Sequence, residues 1–299
     1  MAVWKLTGTA SREAVETALA AQADAADWDG EVTVSANEVD RDDWAIEAWY
    51  ARKPTARDRR ALAALFDGDA PELSAEKLPD TDWVSLSQQG TPPIRAGRFH
   101  VHTPDFSPLR ENGIVDFTIP AAQAFGTGQH ETTAGCLAML DRMRTEGVIV
   151  RNLADIGCGT GLLAFAALSL WPRALCIASD IDPVCEDIIA GNALANSIAV
   201  GGRPGEVVPL VAAGTDHPVI AARAPFDLLV ANILAGPLIE LAPDFADHVA
   251  PGGHLVLAGL LTTQERDVRR ATTRAGFRLA RRMVRGEWSI LWLRRRTVR

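Results

Sequence analysis

Cysteine is scarce in this sequence and shows no pairing. The four residues Cys136, Cys158, Cys176 and Cys185 contain no C-x-x-C spacing. That argues against a disulfide framework and a cysteine metal cluster, and it reads as free, buried thiols in a reducing compartment. Long apolar runs are missing as well. No stretch approaches the roughly 18 uncharged apolar residues of a membrane span. The opening Met-Ala-Val-Trp-Lys-Leu soon reaches polar residues and lacks the apolar segment of a secretory signal. A cytoplasmic protein without membrane contact is therefore expected. Internal repeats and low-complexity tracts are absent, which excludes a solenoid or a fibre. So is any Ser-His-Asp arrangement, and no metal site or dedicated general base stands out.

The chain has 299 residues, 47% hydrophobic and 23% charged. It can bury a sizeable core, and its length accommodates two domains. The net charge of −8 is unevenly spread. Residues 1–98 carry 11 basic and 18 acidic side chains, whereas residues 99–299 carry 19 and 20. An acidic N-terminal third argues against nucleic-acid contact there and favours a basic partner, or else serves as solubilising surface.

That third reads as strand, helix, strand, strand, helix, strand. Val3 to Thr9 forms the first strand, and Ser11 caps a helix with Ala14, Val15, Ala18 and Leu19 at helical spacing. The alternation around Val32 and Val34, and from Trp44 to Ala51, gives two half-buried strands. Thr55 starts a second helix, with Leu62, Leu65 and Phe66 inward, and Trp83 to Ser87 closes the unit. This order suggests a ferredoxin-like split βαβ module. Trp4, Trp28, Trp44, Trp49 and Trp83 fall within it and are expected mostly in its core. Gln88 to Pro108 is rich in Gly and Pro and reads as linker, plus an edge element around Arg98 to His102.

The most informative stretch is residues 153–163, Leu-Ala-Asp-Ile-Gly-Cys-Gly-Thr-Gly-Leu-Leu. An apolar run from Val148 to Ile156, broken by Arg151 and Asn152, reads as a buried strand. Gly157, Gly159 and Gly161 follow, and then an Ala/Leu-rich helix from Leu162 to Trp171. Strand, glycine turn and helix form the ligand-binding corner of a doubly wound α/β domain. The spacing departs from G-x-G-x-x-G, because Leu162 occupies the sixth position. Asp155 before the loop repels a pyrophosphate and suits a cationic ligand such as a sulfonium with an α-amino group. A second strand, Ala174 to Ser179, ends at Asp180, about 20 residues on, where a carboxylate can accept from ribose hydroxyls. Asp182 reads as the cap of the helix beginning near Pro183.

Further strands are expected at Val207 to Val211, at Phe226 to Ala231 running into Asn232, and at His254 to Gly259. Gly126 and Gly128 form a close-approach loop, after which Thr132 or Thr133 caps a helix from Ala134 to about Met143. His130 reads as a hydrogen-bonding residue of that loop. After a basic helix bearing Arg266, Arg269, Arg270 and Arg274, two strands, Arg278 to Val284 and Trp288 to Leu293, close the chain as an antiparallel hairpin. The C-terminal arginines read as solvated surface.

Residues 124–133 (Ala-Phe-Gly-Thr-Gly-Gln-His-Glu-Thr-Thr), the Asp155–Gly161 loop, and residues 230–238 (Val-Ala-Asn-Ile-Leu-Ala-Gly-Pro-Leu) together resemble one family. It is the family of bacterial methyltransferases that modify large-subunit ribosomal protein number eleven. Arg95 to Phe99 and Gly286-Glu287-Trp288 extend the resemblance from about residue 83 to the end. Glu131 departs from it, since the family commonly has proline there. The resemblance implies an α/β fold: a Rossmann-like seven-stranded methyltransferase domain over residues 116–299. A linker over 89–115 and a small ferredoxin-like α+β substrate-recognition domain over 1–88 precede it, with the linker swinging the small domain.

The resemblance also implies S-adenosylmethionine as cofactor, no metal, and methylation of lysine ε-amines and an N-terminal α-amine. By motif matching, Thr133, Gly157, Asp180 and Asn232 are cofactor contacts, joined by Asp155 and Gly159 of the loop. Asn232 is also the residue placed beside the acceptor nitrogen. The expected partner is a basic ribosomal protein met by the acidic N-terminal domain, with no direct nucleic-acid binding and a monomeric enzyme. Three other readings stay open. They are a methyltransferase acting on another protein, nucleic acid or small molecule, a non-catalytic descendant, and an NAD-dependent dehydrogenase, which Leu162 and Asp155 disfavour.

Overall fold

A computed structural model describes residues 4–24, 32–38, 43–66, 68, 70–77, 92–120 and 129–297. The chain divides into two compact units, residues 1–86 and 87–299. The strand expected at Trp83 to Ser87, Trp28 and the Gly126–Gly128 loop lie outside the described residues, as does the side chain of His130.

In the first unit, β1 (Trp4–Ser11), α1 (Arg12–Asp24), β2 (Thr33–Glu38), β3 (Asp43–Tyr50), α2 (Ala56–Ala63) and β4 (Ser74–Lys77) follow in order. The sheet runs β2-β3-β1-β4, with every pair antiparallel. Leu6, Val15, Ala18, Ile46, Leu62 and Phe66 pack in its core. The α2 start is the one read from Thr55. Its hydroxyl accepts from the Asp58 amide while Asp58 accepts from the Thr55 amide, a reciprocal capping box. Arg52 and these bonds hold the Asp58 carboxyl well below the usual range. The fourth strand is polar Ser-Ala-Glu-Lys, which the sequence reading did not anticipate. Trp4, Trp44 and Trp49 are half-buried, and Trp4 and Trp44 pack against the core. Each lies beneath a cation: Lys53, Arg12 and Lys5 stand 5.5, 5.2 and 5.8 Å from the respective ring centres.

The second unit begins with β5 (Ile94–Ala96), β6 (Phe99–His102) and β7 (Val115–Thr118), which form a three-stranded sheet. Ile94, Ala96, Phe99, Val101 and Phe117 join the unit's core. Much of the stretch read as linker is thus folded into this unit, because short apolar clusters supply burial that no long period announces. Then come α3 (Gln129–Thr145), β8 (Asn152–Ile156), α4 (Leu162–Leu170), β9 (Leu175–Asp180), α5 (Val184–Ala195), β10 (Val207–Val211), α6 (Pro218–Arg223) and β11 (Phe226–Asn232). The chain continues through α7 (Ala235–Glu240), α8 (Ala242–His248), β12 (Val249–Leu261), α9 (Glu265–Arg274), β13 (Phe277–Arg285) and β14 (Trp288–Arg295). Helix α3 starts at Gln129, so Thr132 and Thr133 sit in its first turns instead of capping it.

The main sheet has seven strands in the order β10-β9-β8-β11-β12-β14-β13. The first five are parallel, and β14 and β13 are antiparallel additions. Both faces of the central strands are covered. Leu153, Val230 and Val256 enter one core, whereas Ala154, Leu229 and Leu255 enter the other. Such strands read as unbroken apolar runs, which is why β8 and β11 were visible in sequence. Strand order reverses between β8 and β11, and the crevice at their carboxyl ends is where doubly wound sheets bind ligands. Cys136, Cys176 and Cys185 are buried, Cys158 is partly so, and all four are free thiols. Among the described residues, no helix is long and apolar enough to cross a membrane.

Candidate functional site

The glycine loop leaves β8 at Gly157, and Gly157, Gly159 and Gly161 take φ values of 70°, 52° and 81°. L-residues with side chains rarely adopt this left-handed region. The Ser179 carbonyl of β9 accepts from the Gly157 and Cys158 amides at 2.8 and 3.0 Å. One residue on, Asp180 Oδ2 accepts from the Gly159 amide at 2.8 Å, and its Oδ1 accepts from the Asp182 amide at 3.1 Å. Asp182 Oδ1 in turn accepts from the Val184 amide at 3.0 Å, serving the first helical amide from one residue ahead of the N-cap, Pro183. Asp180 therefore joins the glycine loop to the end of β9.

Asp155 is 1% exposed. Its Oδ2 accepts from the Ala164 amide in the first turn of α4 at 3.0 Å, while Oδ1 is buried without a partner. Burial pushes its carboxyl up to about 7, with Asp180 nearby adding to the rise and the Ala164 bond opposing it. The structure thus puts Asp155 beneath the loop, anchoring it to α4, and not on an open ligand-facing surface. Asn192 of α5, buried, donates to the Thr160 carbonyl at 3.0 Å and braces the loop from the other side.

Asn232 ends β11. Helix α7 has Leu234 at its N-cap and no side-chain capping bond, so Asn232 does not cap it. The next residue, Ile233, is gripped by two glycines. A Cβ on Gly157 would stand 2.2 Å from Ile233 Cγ2, and one on Gly259 would stand 2.3 Å from the Ile233 carbonyl oxygen. Gly259, with φ 82°, falls where the β12–β14 register slips. Asp155, Gly157, Gly159, Asp180 and Asn232 are therefore brought together at the switch point. Thr133 is buried in the first turns of α3, and among the described residues no hydrogen bond ties it to the loop. Gly259, Ile233 and Asn192 were not singled out in the sequence. For Asn192 the available signal was its i, i+4 pairing with Asn196 at the C-terminal end of a helix whose acidic residues, Glu186 and Asp187, lie in the first turn. Asn196 holds the Thr118 amide and carbonyl, each at 2.8 Å, fixing the end of β7.

The crevice fits S-adenosylmethionine. It offers a loop with no room for a side chain at Gly157 and an acceptor carboxylate at the end of β9. Ile181 and Leu234 beside it are 71% and 72% exposed, leaving apolar surface next to Asp180 and Asn232. Among the described residues, one ligating-type cluster lies elsewhere. His100 Nδ1 and His102 Nε2 meet Asp116 at 2.6 and 3.1 Å between β6 and β7, remote in the chain from the loop.

A parallel sheet with an antiparallel β13–β14 end, and a G-x-G-x-G loop bound to an acidic residue after the next strand, define a Rossmann-like methyltransferase that uses S-adenosylmethionine. Residues 4–296 match the family described as ribosomal protein L11 methyltransferase (PrmA), and the chain belongs to that family. Relatives carrying that name include one from Rhizobium etli, 39% identical over 259 residues, covering 85% of this chain and 86% of the relative. Another, from Mesorhizobium japonicum, is 41% identical over 240 residues, covering 80% and 79%. The crystal structure of a ribosomal protein L11 methylase from Lactobacillus delbrueckii subsp. bulgaricus superposes with a TM-score of 0.55 at 26% identity. That match covers 68% of this chain and 97% of that one.

Proposed function

We propose that this chain methylates ribosomal protein L11 on lysine ε-amines and on the N-terminal α-amine. The observation that carries the reading is the family match from residue 4 to residue 296, supported by the Asp180 bond to the glycine loop beside Asn232. When bound, S-adenosylmethionine supplies a methyl group on a positively charged sulfur. The chain's residues bind, orient and desolvate.

Asp180 would hold the ribose hydroxyls through the lone pairs left beside its two backbone bonds. Gly157 and Gly159 would let the backbone approach, Thr133 would be a further cofactor contact as its motif implies, and Asp155 would act through the loop it holds. Asn232 orients the acceptor amine. A lysine of pKa about 10.4 is about 3.4 units from neutrality at pH 7, roughly 4.6 kcal/mol. The apolar surface of Ile181 and Leu234 lowers that cost by desolvating the ammonium, and positioning supplies the rest. No dedicated base is required.

The first unit, with the order and antiparallel pairing of a ferredoxin-like module and most of the chain's excess acid, recruits the basic ribosomal protein. The enzyme acts as a cytoplasmic monomer. Mass spectrometry of ribosomal protein L11 incubated with the chain and S-adenosylmethionine tests the reading. Methyl increments on lysines and the N-terminus are expected, and an unmodified protein would overturn it.

A further inference from the structure

Between Thr262 and Gly286 lie eight arginines, no lysine, and only two carboxylates, Glu265 and Asp267. Helix α9 and strand β13 gather five of these arginines around one groove that encloses about 780 Å³. Glu265 is buried beneath it, and its charge is already committed. Its Oε2 accepts from Arg282 Nε at 2.6 Å and from the Ser289 hydroxyl at 2.7 Å, and its Oε1 accepts from Arg269 Nη1 at 3.3 Å. These partners hold its carboxyl below the usual range, against the effect of burial. On β13, Arg281 pairs with Glu146 at 3.0 Å and Arg285 approaches Glu131 at 3.8 Å. That leaves Arg278, outside the groove, and Arg266, Arg270 and Arg274, which line it. The latter three are exposed, and among the described residues their guanidinium groups make no ion pair or hydrogen bond. Four-residue spacing sets them about 6 Å apart along one side of α9. The stripe is about 12 Å long, and acidic groups farther from it than a Debye length, about 10 Å at 0.1 M salt, are largely screened from a ligand lying on it.

We propose that this groove binds the phosphate backbone of RNA. An acidic polypeptide fits less well. Protein interfaces are centred on apolar and aromatic anchors, and the residues lining this groove are all polar or charged. Phosphate contact needs none of that, because guanidinium forks match phosphate oxygens two by two. With no aromatic ring in the groove for bases to stack on, the contact is indifferent to sequence and steeply salt-dependent. A chain of net charge −8 does not attract RNA as a whole, so binding reports this local surface. A polyphosphate partner follows from the groove alone. The choice of RNA over DNA rests on the proposed ribosomal substrate.

The test is fluorescence anisotropy of a labelled, mixed-sequence single-stranded RNA of about 20 nucleotides, titrated with the full chain between roughly 50 and 200 mM salt. The triple variant Arg266→Gln/Arg270→Gln/Arg274→Gln is expected to bind at least tenfold more weakly. Its slope of log affinity against log salt should be shallower by about 2, at about 0.7 per lost contact. Its S-adenosylhomocysteine affinity should be unchanged, which certifies the fold. If that variant does not fold, each single variant should lower the slope by about 0.7. Arg278→Gln, outside the groove, should leave RNA affinity within about twofold, since one surface charge away from the contact has little effect. Four results would overturn the proposal: no RNA binding at low salt, undiminished binding by the triple variant, preference for DNA of the same length, or displacement of RNA by polyglutamate at equal charge.

Discussion

The Asp180 carboxylate holds the Gly159 amide at 2.8 Å, so the residue expected to receive a ribose also shapes the loop that receives the rest of the cofactor. Two functions meet in one side chain, and a substitution there has two consequences.

Asp180→Ala is expected to weaken S-adenosylhomocysteine binding by about 1.5–3 kcal/mol, the scale of hydrogen bonds to a charged group. Asp180→Asn keeps an acceptor for one backbone amide but loses the charge, and should fall between alanine and wild type. Calorimetry reads both. Unchanged affinity in the alanine variant would remove the ribose assignment.

Asp155 sets a pH dependence whose sign follows from its burial. Its carboxyl rises from 3.8 to about 7 in the folded chain, so between those values the folded state holds a proton that the unfolded state has released. Stability associated with this group is present below about pH 4 and is lost as pH rises through about 7. Asp155→Asn stays neutral, and its amide oxygen can still accept from Ala164. The stability of the asparagine variant relative to wild type should therefore climb between pH 4 and pH 7, by on the order of a few kcal/mol. Urea unfolding of both proteins across that range provides the measurement. Parallel curves would show that Asp155 titrates as an ordinary surface carboxylate.

How much of this was legible in the sequence depends on the kind of signal each element carries. Strands β8, β9 and β11 announce themselves because both their faces are buried, and each ends in a polar residue or glycine where the apolar run stops. Strand β4 carries no such mark. Ser74–Lys77 is a polar edge strand paired only with β1, and alternation has nothing to show there. Strand β5 is three residues long in a Gly- and Pro-rich stretch, too short for any period. Trp4 and Trp44 pack against the small core as aromatic content suggests, while their rings and that of Trp49 also lie under Lys and Arg side chains, which no period in the sequence announces. Gly259 reads as a glycine inside a strand, which points to a bulge or a close approach without naming the neighbour. That neighbour, Ile233, is 26 residues earlier in the numbering and becomes visible only once β11 and β12 are paired.

Gly259→Ala measures that approach. The new Cβ would meet a backbone oxygen at 2.3 Å at a positive φ, and backbone cannot yield as a side-chain end can. A loss of about 2 kcal/mol or more is expected, combining the left-handed strain with displacement of Ile233. Gly276→Ala is the control. It shares a positive φ but has nothing within 4 Å of a Cβ, and should cost about 1 kcal/mol. Equal losses on urea unfolding would show that only φ matters at Gly259.

Residues 87–299 contain every residue assigned to the cofactor, along with Ile94 and Ala96 of the same core. A chain beginning at Ser87 is expected to bind S-adenosylhomocysteine as the full chain does while losing methyl transfer to the intact ribosomal protein. Starting at Phe99 instead would strip β5 from the core and confuse instability with lost recruitment. Full activity of the residue 87–299 chain would show that the first unit does not recruit substrate.

Asn232 carries the sharpest test, because the structure leaves its side chain without a capping role at α7. It stands at the end of β11, beside an Ile233 whose backbone is fixed against Gly259 and whose side chain is fixed against Gly157. Pro237 in the following helix further limits the backbone there. A residue held on so stiff a segment can keep an amide oxygen pointed at an amine, which is what orientation requires. If it does so, Asn232→Ala should lower kcat by about 100-fold or more with a much smaller loss of cofactor affinity, since a reactant left unoriented forfeits rate more than binding. Asn232→Asp keeps the acceptor and should retain more activity than alanine. A purely structural Asn232 would instead lose about 1 kcal/mol of stability at near-normal turnover. Steady-state kinetics on ribosomal protein L11, read beside a melting curve for each variant, separates the two. A stable alanine variant turning over at the wild-type rate ends the catalytic assignment.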